Sequence, residues 1–400
     1  MNGPGTVPAH PAGEERATPL ELFFDLVFVL SFTQVTAAMA EDPTWSGVGE
    51  GMLVLAAVWW AWAAYGWLTN TINVDENLNR LAIAAAMAAM LIVSLSLPEA
   101  FGDLGLLFGC SYFVVRGIHL LLYVRNARIA GDEDNLSAIL KLAPGLLIGS
   151  ALLIVAGALD GDARVLVWIL ALLIDYSTPL LFGTAEFNLH PGHFAERYGL
   201  IVIIALGESL VAIGSGAGFE LTTAEVVAAL LGIACAFALW WAYFDIVATV
   251  AERRLSEAPP GEQGPLARDS YSYLHFPMIA GIVLFALGLK KTEAAPEETL
   301  KEIPAVALCG GVALYLAGHI AFRYRNVRTF NAHRTIATLA CLALIPLALE
   351  ADALVALAGV TAVLLTLISY EAIRFREARA RVRENPEMSL AQMRGRDLAR

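Results

Sequence analysis

Apolar runs recur along the chain, beginning near residues 20, 52, 80, 104, 138, 164, 195, 222, 271, 302, 333 and 353. Each is about 18–25 residues long, and a bilayer core needs about 20 helical residues per crossing. The pattern predicts an all-α polytopic integral membrane protein of about twelve transmembrane helices. The last two runs are divided only at Glu350 and Asp352, which leaves eleven and thirteen spans open. Residues 1–18 read as a polar tail carrying Glu14, Glu15 and Arg16, without the basic n-region or cleavage site of a signal peptide. Residues 375–400 read as a basic tail.

Composition sharpens this picture. Hydrophobic residues are 58% of the chain and charged residues 16%, with a mean hydropathy of +0.64; a soluble domain carries about 25% charged residues. The net charge of −12 comes with no basic stripe and no paired zinc ligands, so nucleic acid is not an expected partner. The partners expected are the bilayer and an unidentified small solute or ion. Cys110, Cys235, Cys309 and Cys341 lie in apolar runs without C-x-x-C spacing and read as buried, unpaired thiols.

Lysine and arginine near the run ends set the expected orientation. With twelve spans, one set of alternate loops holds Arg80, Arg125, Arg128, Arg253, Arg254, Arg323, Arg325 and Arg328. The tail from Arg374 lies on the same side. The opposite loops are nearly free of cations apart from Arg164 and the cluster of Lys290, Lys291 and Lys301. Both termini are therefore expected in the cytoplasm, with the protein in the cell membrane.

The chain also carries signs of a repeat. H-x5-R-N-x-R occurs at His119–Arg128 and again at His319–Arg328, Trp59-Trp60-Ala61-Trp62 is echoed by Trp240-Trp241-Ala242-Tyr243, and Glu21 by Glu196. Each match joins a run to the sixth run after it, which predicts two parallel six-helix halves, residues 19–183 and 184–374, about an axis along the membrane normal.

Candidate chemistry lies in charges at membrane depth, which cost about 2.5–3.5 kcal/mol on insertion scales and so are paired or face a cavity. Glu21 and Asp25 share a helix face, with Thr36 deeper on the same side, Pro19 in the first turn and Thr18 as N-cap. In HPGHFAERYGLIVIIALGES, His193 and Arg197 are four apart, Glu196 is offset, and Glu208 lies nearly on their face eleven residues on. Arg197 and Glu208 are about 16 Å apart along the axis, too far to pair. Glu208 is left to find a partner on another helix, bind a cation or stay protonated. Asp175, Glu186 and Asp245 are further interior acids, with Arg116, His119 and His319 as candidate partners. An ion-pair network that only fixes helix register is the competing reading.

His190, His193 and Glu196 also have the residue types of a zinc or manganese site, although Pro191-Gly192 interrupts the helix between the histidines. Tryptophans read as interfacial belts and helix packing. No P-loop, dinucleotide fingerprint or nucleophile elbow is present, and no cofactor is expected.

At TPLELFFDLVFV and H-x2-H-x2-ERYGLIVIIALGES, and over roughly residues 18–375 including Pro98–Phe101 and the Trp-Trp runs, the chain resembles the bacterial low temperature requirement A (LtrA) family. The resemblance implies a multi-pass membrane protein linked to cold or stress, and supplies neither substrate nor catalytic residues. FFDLVFV is also similar to the F-S-D-x-V-F helix of certain atypical potassium channels; the second half has no F-x-D copy.

The expected function is a secondary transporter or ion-conducting protein whose pathway includes Glu21, Asp25, Asp175, Glu186, His193, Glu196, Arg197 and Glu208. The alternatives are an intramembrane enzyme using carboxylate and histidine acid–base chemistry on a lipid or hydrophobic small molecule, and a membrane sensor or scaffold. The loop cations give a direct test of orientation. A fluorescent-protein fusion at residue 400 is expected to be bright and an alkaline phosphatase fusion there silent; the reverse would overturn the assignment.

Overall fold

The computed structural model describes residues 16–216 and 222–384, the side chain of Arg383 excepted. Most of the expected tail at 1–18 and much of that at 375–400 lie outside the described residues. The described chain is helical throughout: α1 (Pro19–Glu41), α2 (Trp45–Thr71), α3 (Asn77–Ser96), α4 (Gly105–Ala130), α5 (Glu133–Gly157), α6 (Gly161–Phe182), α7 (Pro191–Gly216) and α8 (Thr223–Phe244). There follow α9 (Val247–Ser256), α10 (Gln263–Ala267), α11 (His275–Ala294), α12 (Glu302–Val327), α13 (Ala332–Ala343), α14 (Ile345–Glu350), α15 (Ala353–Arg374) and α16 (Arg376–Glu384).

Twelve helices among the described residues are long and apolar enough to cross a membrane. Four of these spans are composite. Asn77–Glu99 continues α3 through a 3-10 turn at Leu97–Glu99. Thr223–Ser256 joins α8 and α9, Gln263–Ala294 joins α10 and α11 through a π-helical stretch at Arg268–Tyr273, and Ala332–Glu350 joins α13 and α14. The α13–α14 break at Leu344 precedes Pro346, which lacks the N–H to continue the ladder. The weak separation at Glu350 and Asp352 is a genuine helix boundary. Loop carbonyls of Glu298 and Pro296 accept from the amides of Ala353 and Leu354, satisfying two of the donors at the start of α15.

The chain divides into two compact units. One comprises Met1–Ser31, Ala56–Arg197 and Pro259–Pro265, the other Phe32–Leu55, Tyr198–Ala258 and Leu266–Arg400. Within the first, α4 packs on α3 and α5, and α5 on α6. Within the second, α11 packs on α12, α12 on α13, and α8 on α15. Glycines set the closest approaches, as expected where helices associate in lipid. A Cβ on Gly109 would sit 2.5 Å from the Leu153 carbonyl oxygen, and one on Gly288 2.5 Å from Leu308 Cα.

Motifs noted in the sequence find local structural uses. Asn126 of the first R-N-x-R pairs its amide with that of Asn79, at 3.0 and 3.1 Å, and Arg125 reaches Glu76 at 2.6 Å. These bonds hold the Glu76 carboxyl below its ordinary range. The contribution is present at neutral pH and fades as pH falls through that lowered value. In the second copy Arg325 reaches Asp269 at 3.0 Å. Arg164, the exceptional loop cation, donates to the carbonyls of Phe101, Gly102 and Leu159 and so clamps the turn after Pro98. Cys235, Cys309 and Cys341 are buried free thiols, but Cys110 is exposed, because it falls on the outer face of α4.

Substitution at the glycine crossings tests this packing. Gly288→Val is expected to cost about 1–3 kcal/mol or more through overpacking. Gly117→Ala, whose Cβ would meet nothing within 4 Å, is expected to be neutral or to gain up to about 1 kcal/mol of helix propensity. Thermal unfolding in detergent reads both; equal midpoints would contradict the close α11–α12 contact.

Candidate functional site

The first unit holds a buried charge cluster built from α1, α2 and α7. Thr18 caps α1 as expected, and Glu21 closes a reciprocal box: its carboxylate accepts from the Thr18 amide at 2.8 Å while the Thr18 hydroxyl accepts from the Glu21 amide at 3.3 Å. That geometry fixes Glu21 on the inner face of the first turn, with Asp25 one turn on. Both are essentially inaccessible, at 1% and 0% exposure.

Arg197 of α7 joins them. Its Nη1 donates to Glu21 Oε1 at 2.8 Å and to Thr69 Oγ1 at 2.9 Å, and its Nη2 donates to Asp25 Oδ1 at 2.7 Å. The Trp62 indole N–H donates to the same Asp25 oxygen at 2.8 Å, and the guanidinium lies 5.8 Å from the Trp62 ring centroid. Trp62 therefore has a polar role beyond the packing expected of it. Asp25 Oδ2 is buried with no hydrogen-bond partner among the described residues.

His193 completes the cluster. Its Nε2 is 3.1 Å from Glu21 Oε2 and its Nδ1 3.1 Å from Asn70 Nδ2. Asn70 also accepts from the His190 amide at 2.8 Å and donates to the His190 carbonyl at 3.0 Å, which fixes which end of its side chain is nitrogen. With that assignment the Asn70 amide nitrogen faces Nδ1 of His193, and Nε2 faces Glu21. Two carboxylates share one guanidinium. A small pocket of about 30 Å³ opens onto Glu21 and His193, lined also by Arg16, Thr18, Thr69, Asn70, Val74 and His190. It has room for water.

Glu208 lies in the second unit, 3% exposed. Thr33 Oγ1 donates to it at 2.7 Å, while the Thr36 hydroxyl nearby donates to the Phe32 carbonyl at 3.0 Å. Among the described residues no basic side chain lies within ion-pair distance, so the partner sought on another helix is the Thr33 hydroxyl.

The remaining candidates disperse. Arg116 and Asp175 form a buried pair at 3.1 Å in the first unit, supported by the Trp60 indole. Glu186 is a surface residue paired with Lys141 at 2.5 Å. Glu196 accepts from the Ala17 amide at 2.7 Å. Asp245 pairs with Arg379 of α16, in the second unit. His119 partners no acid; it packs against Tyr65 and Tyr123. His319 accepts from Arg334 at 2.7 Å instead of serving an acid.

The triad of His190, His193 and Glu196 is not assembled. Among the described residues no three His, Cys, Asp or Glu side chains are placed to hold one metal ion. Pro191 and Gly192 open α7 and do not interrupt a helix, so His190 precedes it with its side chain exposed, and the other two side chains have the separate partners given above.

Two buried networks were not among the sequence candidates. Arg334 of α13 meets Glu371 of α15 at 2.9 and 3.0 Å, with Asn331 at 3.2 Å from the same carboxylate. Tyr243 donates to His275 Nε2 at 2.8 Å while His275 Nδ1 donates to the Ser270 carbonyl at 3.0 Å. Arg334 and Glu371 lie near helix ends, where charges ordinarily reach water. The signal for Arg334 was Asn331 three residues before it, an N-cap that turns the first turn of α13 inward.

Breaking a buried pair from one side costs about 3–5 kcal/mol, while replacing both partners by apolar groups of similar volume is often neutral. Arg197→Gln is therefore expected to be strongly destabilising and the double substitution Arg116→Met with Asp175→Leu far less so. Thermal inactivation in detergent, followed by size-exclusion chromatography, separates them. An Arg197→Gln protein as stable as the parent would contradict the cluster.

Residues 16–369 match the family described as bacterial low temperature requirement A protein (LtrA). An uncharacterized protein of Rhizobium meliloti is 29% identical over 317 residues, covering 76% of each chain. No solved structure matches. The family match spans the two motifs that build the cluster, TPLELFFD and HFAERYGL, and the chain belongs to the LtrA family.

Proposed function

We propose that this LtrA-family protein is a secondary transporter or ion-conducting protein in which Asp25 and Glu208 take up and release a proton or a small cation. The reading rests on the charge count around Arg197. Two buried carboxylates share one guanidinium, and Asp25 Oδ2 has no partner among the described residues. An uncompensated carboxylate in a low-dielectric interior is expensive, and a proton or a cation removes that cost. Glu208 supports the same reading from the second unit, since its described hydrogen-bond donor is the Thr33 hydroxyl.

A register-locking role alone fits Arg116–Asp175 and Arg334–Glu371, where one acid meets one guanidinium. It accounts less well for an excess acid. The 30 Å³ pocket beside Glu21 suits water or a small ion, and argues against a lipid substrate for acid–base chemistry at that point. We carry the two six-helix halves, the cell-membrane location, the cytoplasmic termini and a link to cold growth as parts of this proposal. Analogous ties support the repeat: Arg125 reaches Glu76 beside α3 in the first half, and Arg325 reaches Asp269 just before α11 in the second.

Reconstitution of the purified protein in liposomes tests the reading, with internal pH reported by a trapped dye under imposed proton, sodium and potassium gradients. Flux is expected from the parent and is expected to fall at least tenfold in Asp25→Asn and in Glu208→Gln, both folded by size-exclusion chromatography. Parent vesicles silent to all three gradients, or full flux from both variants, would overturn it.

A further inference from the structure

The second unit carries a feature that the carboxylates do not use. Between α13 and α15 lies a groove of about 400 Å³, lined by His333, Ile336, Ala337, Ala340, Ala362, Val363, Thr366, Leu367 and Tyr370. It is hollow because small residues face each other: Ala337 and Ala340 on one helix, Ala362 and Val363 on the other. Its length runs along two membrane spans, and its flanks at Ile336 and Leu339 are exposed apolar side chains. A cavity of this size is in the range of about 300–1,000 Å³ of small-molecule sites.

The two ends of the groove differ. The His333 ring lies 4.6 Å from that of Tyr370 and 6.1 Å from that of Phe375, and the Arg374 guanidinium is 5.7 Å from the Phe375 ring. His333 and Tyr370 thus line the end where α13 begins and α15 ends, and the exposed Arg374 follows Tyr370 by one turn on the same face of α15, just beyond the lining. Arg374 is in no ion pair among the described residues, in contrast to Arg334 one turn inside, which is saturated by Glu371.

From this juxtaposition we infer that the α13–α15 groove is a binding site for an anionic phospholipid, one acyl chain in the groove and the phosphate at Arg374 and His333. Charge complementarity selects the occupant. Basic pockets between membrane helices recognise anionic head groups, and an aromatic–imidazole rim suits the interfacial depth at which phosphates lie. A zwitterionic lipid would fill the same apolar groove without using the guanidinium. The assignment is independent of the transport reading.

Native mass spectrometry of the full-length protein, released from detergent with added phosphatidylglycerol or phosphatidylcholine, tests it. The parent is expected to retain phosphatidylglycerol at least fivefold more than phosphatidylcholine. Arg374→Gln is expected to abolish that preference, and Ala340→Phe, which fills the groove, to lower retention of both. Arg80→Gln, a cation elsewhere on the surface, controls for general charge and should leave the preference intact. Equal retention of the two lipids by the parent would overturn the inference. So would undiminished phosphatidylglycerol binding by a folded Ala340→Phe protein, or loss of preference in Arg80→Gln equal to that in Arg374→Gln. A parent that occupies this face with a second copy of itself, seen as a dimer lost in Ala340→Phe, would overturn it as well.

Discussion

The first unit depends on one guanidinium. Arg197 is shared by Glu21, Asp25 and Thr69, so the opening turns of α1 and α7 and the closing turns of α2 are tied at a single point. An isolated arginine at that burial would be prohibitive, as would either carboxylate. Arg197 is the one member whose loss would leave both carboxylates without their shared cation. Trp62 reinforces it twice, by its N–H to Asp25 and by its ring beside the guanidinium.

Interior charge is used in two ways in this chain. Where one acid meets one base, as in Arg116–Asp175 and Arg334–Glu371, polar groups can be sealed in and forgotten, and they serve to register helices. Where acids outnumber the guanidinium they share, as around Arg197, or where the described donor is a hydroxyl, as for Glu208, the acid lacks a cation of its own within ion-pair distance among the described residues, and the proposed uptake of a proton or cation is addressed to these places. The distinction rests on counting partners, and burial alone does not make it: Asp175 and Asp25 are both buried.

Most of the fold was legible because bilayer thickness imposes a length on every apolar run, and that length is visible without any contact information. The cluster was legible in part. Glu21, Asp25, His193 and Arg197 stood out as charges at helical spacing near or inside apolar runs, and they do converge. Trp62, Thr69 and Asn70 did not, because a tryptophan or a threonine in an apolar run carries no mark of the group it faces. Glu186 stood out for its place near the end of a run, where a residue can turn outward, as it does to Lys141; Asp245 stays covered and pairs with Arg379, a tail arginine that the apolar pattern does not connect to it. Arg334 and Glu371 were passed over by the same logic. Pairings between distant helices are set by packing, which a single chain read in order does not display.

Asn70 has a consequence of its own. It grips the His190 backbone with both ends of its amide while its nitrogen faces the His193 ring. The residue that precedes α7 is therefore held by a side chain of α2. One neutral amide supplies a donor and an acceptor to the same peptide segment, much as a neighbouring strand does in a sheet. The entry to α7 cannot draw away from the end of α2 without losing both bonds at once.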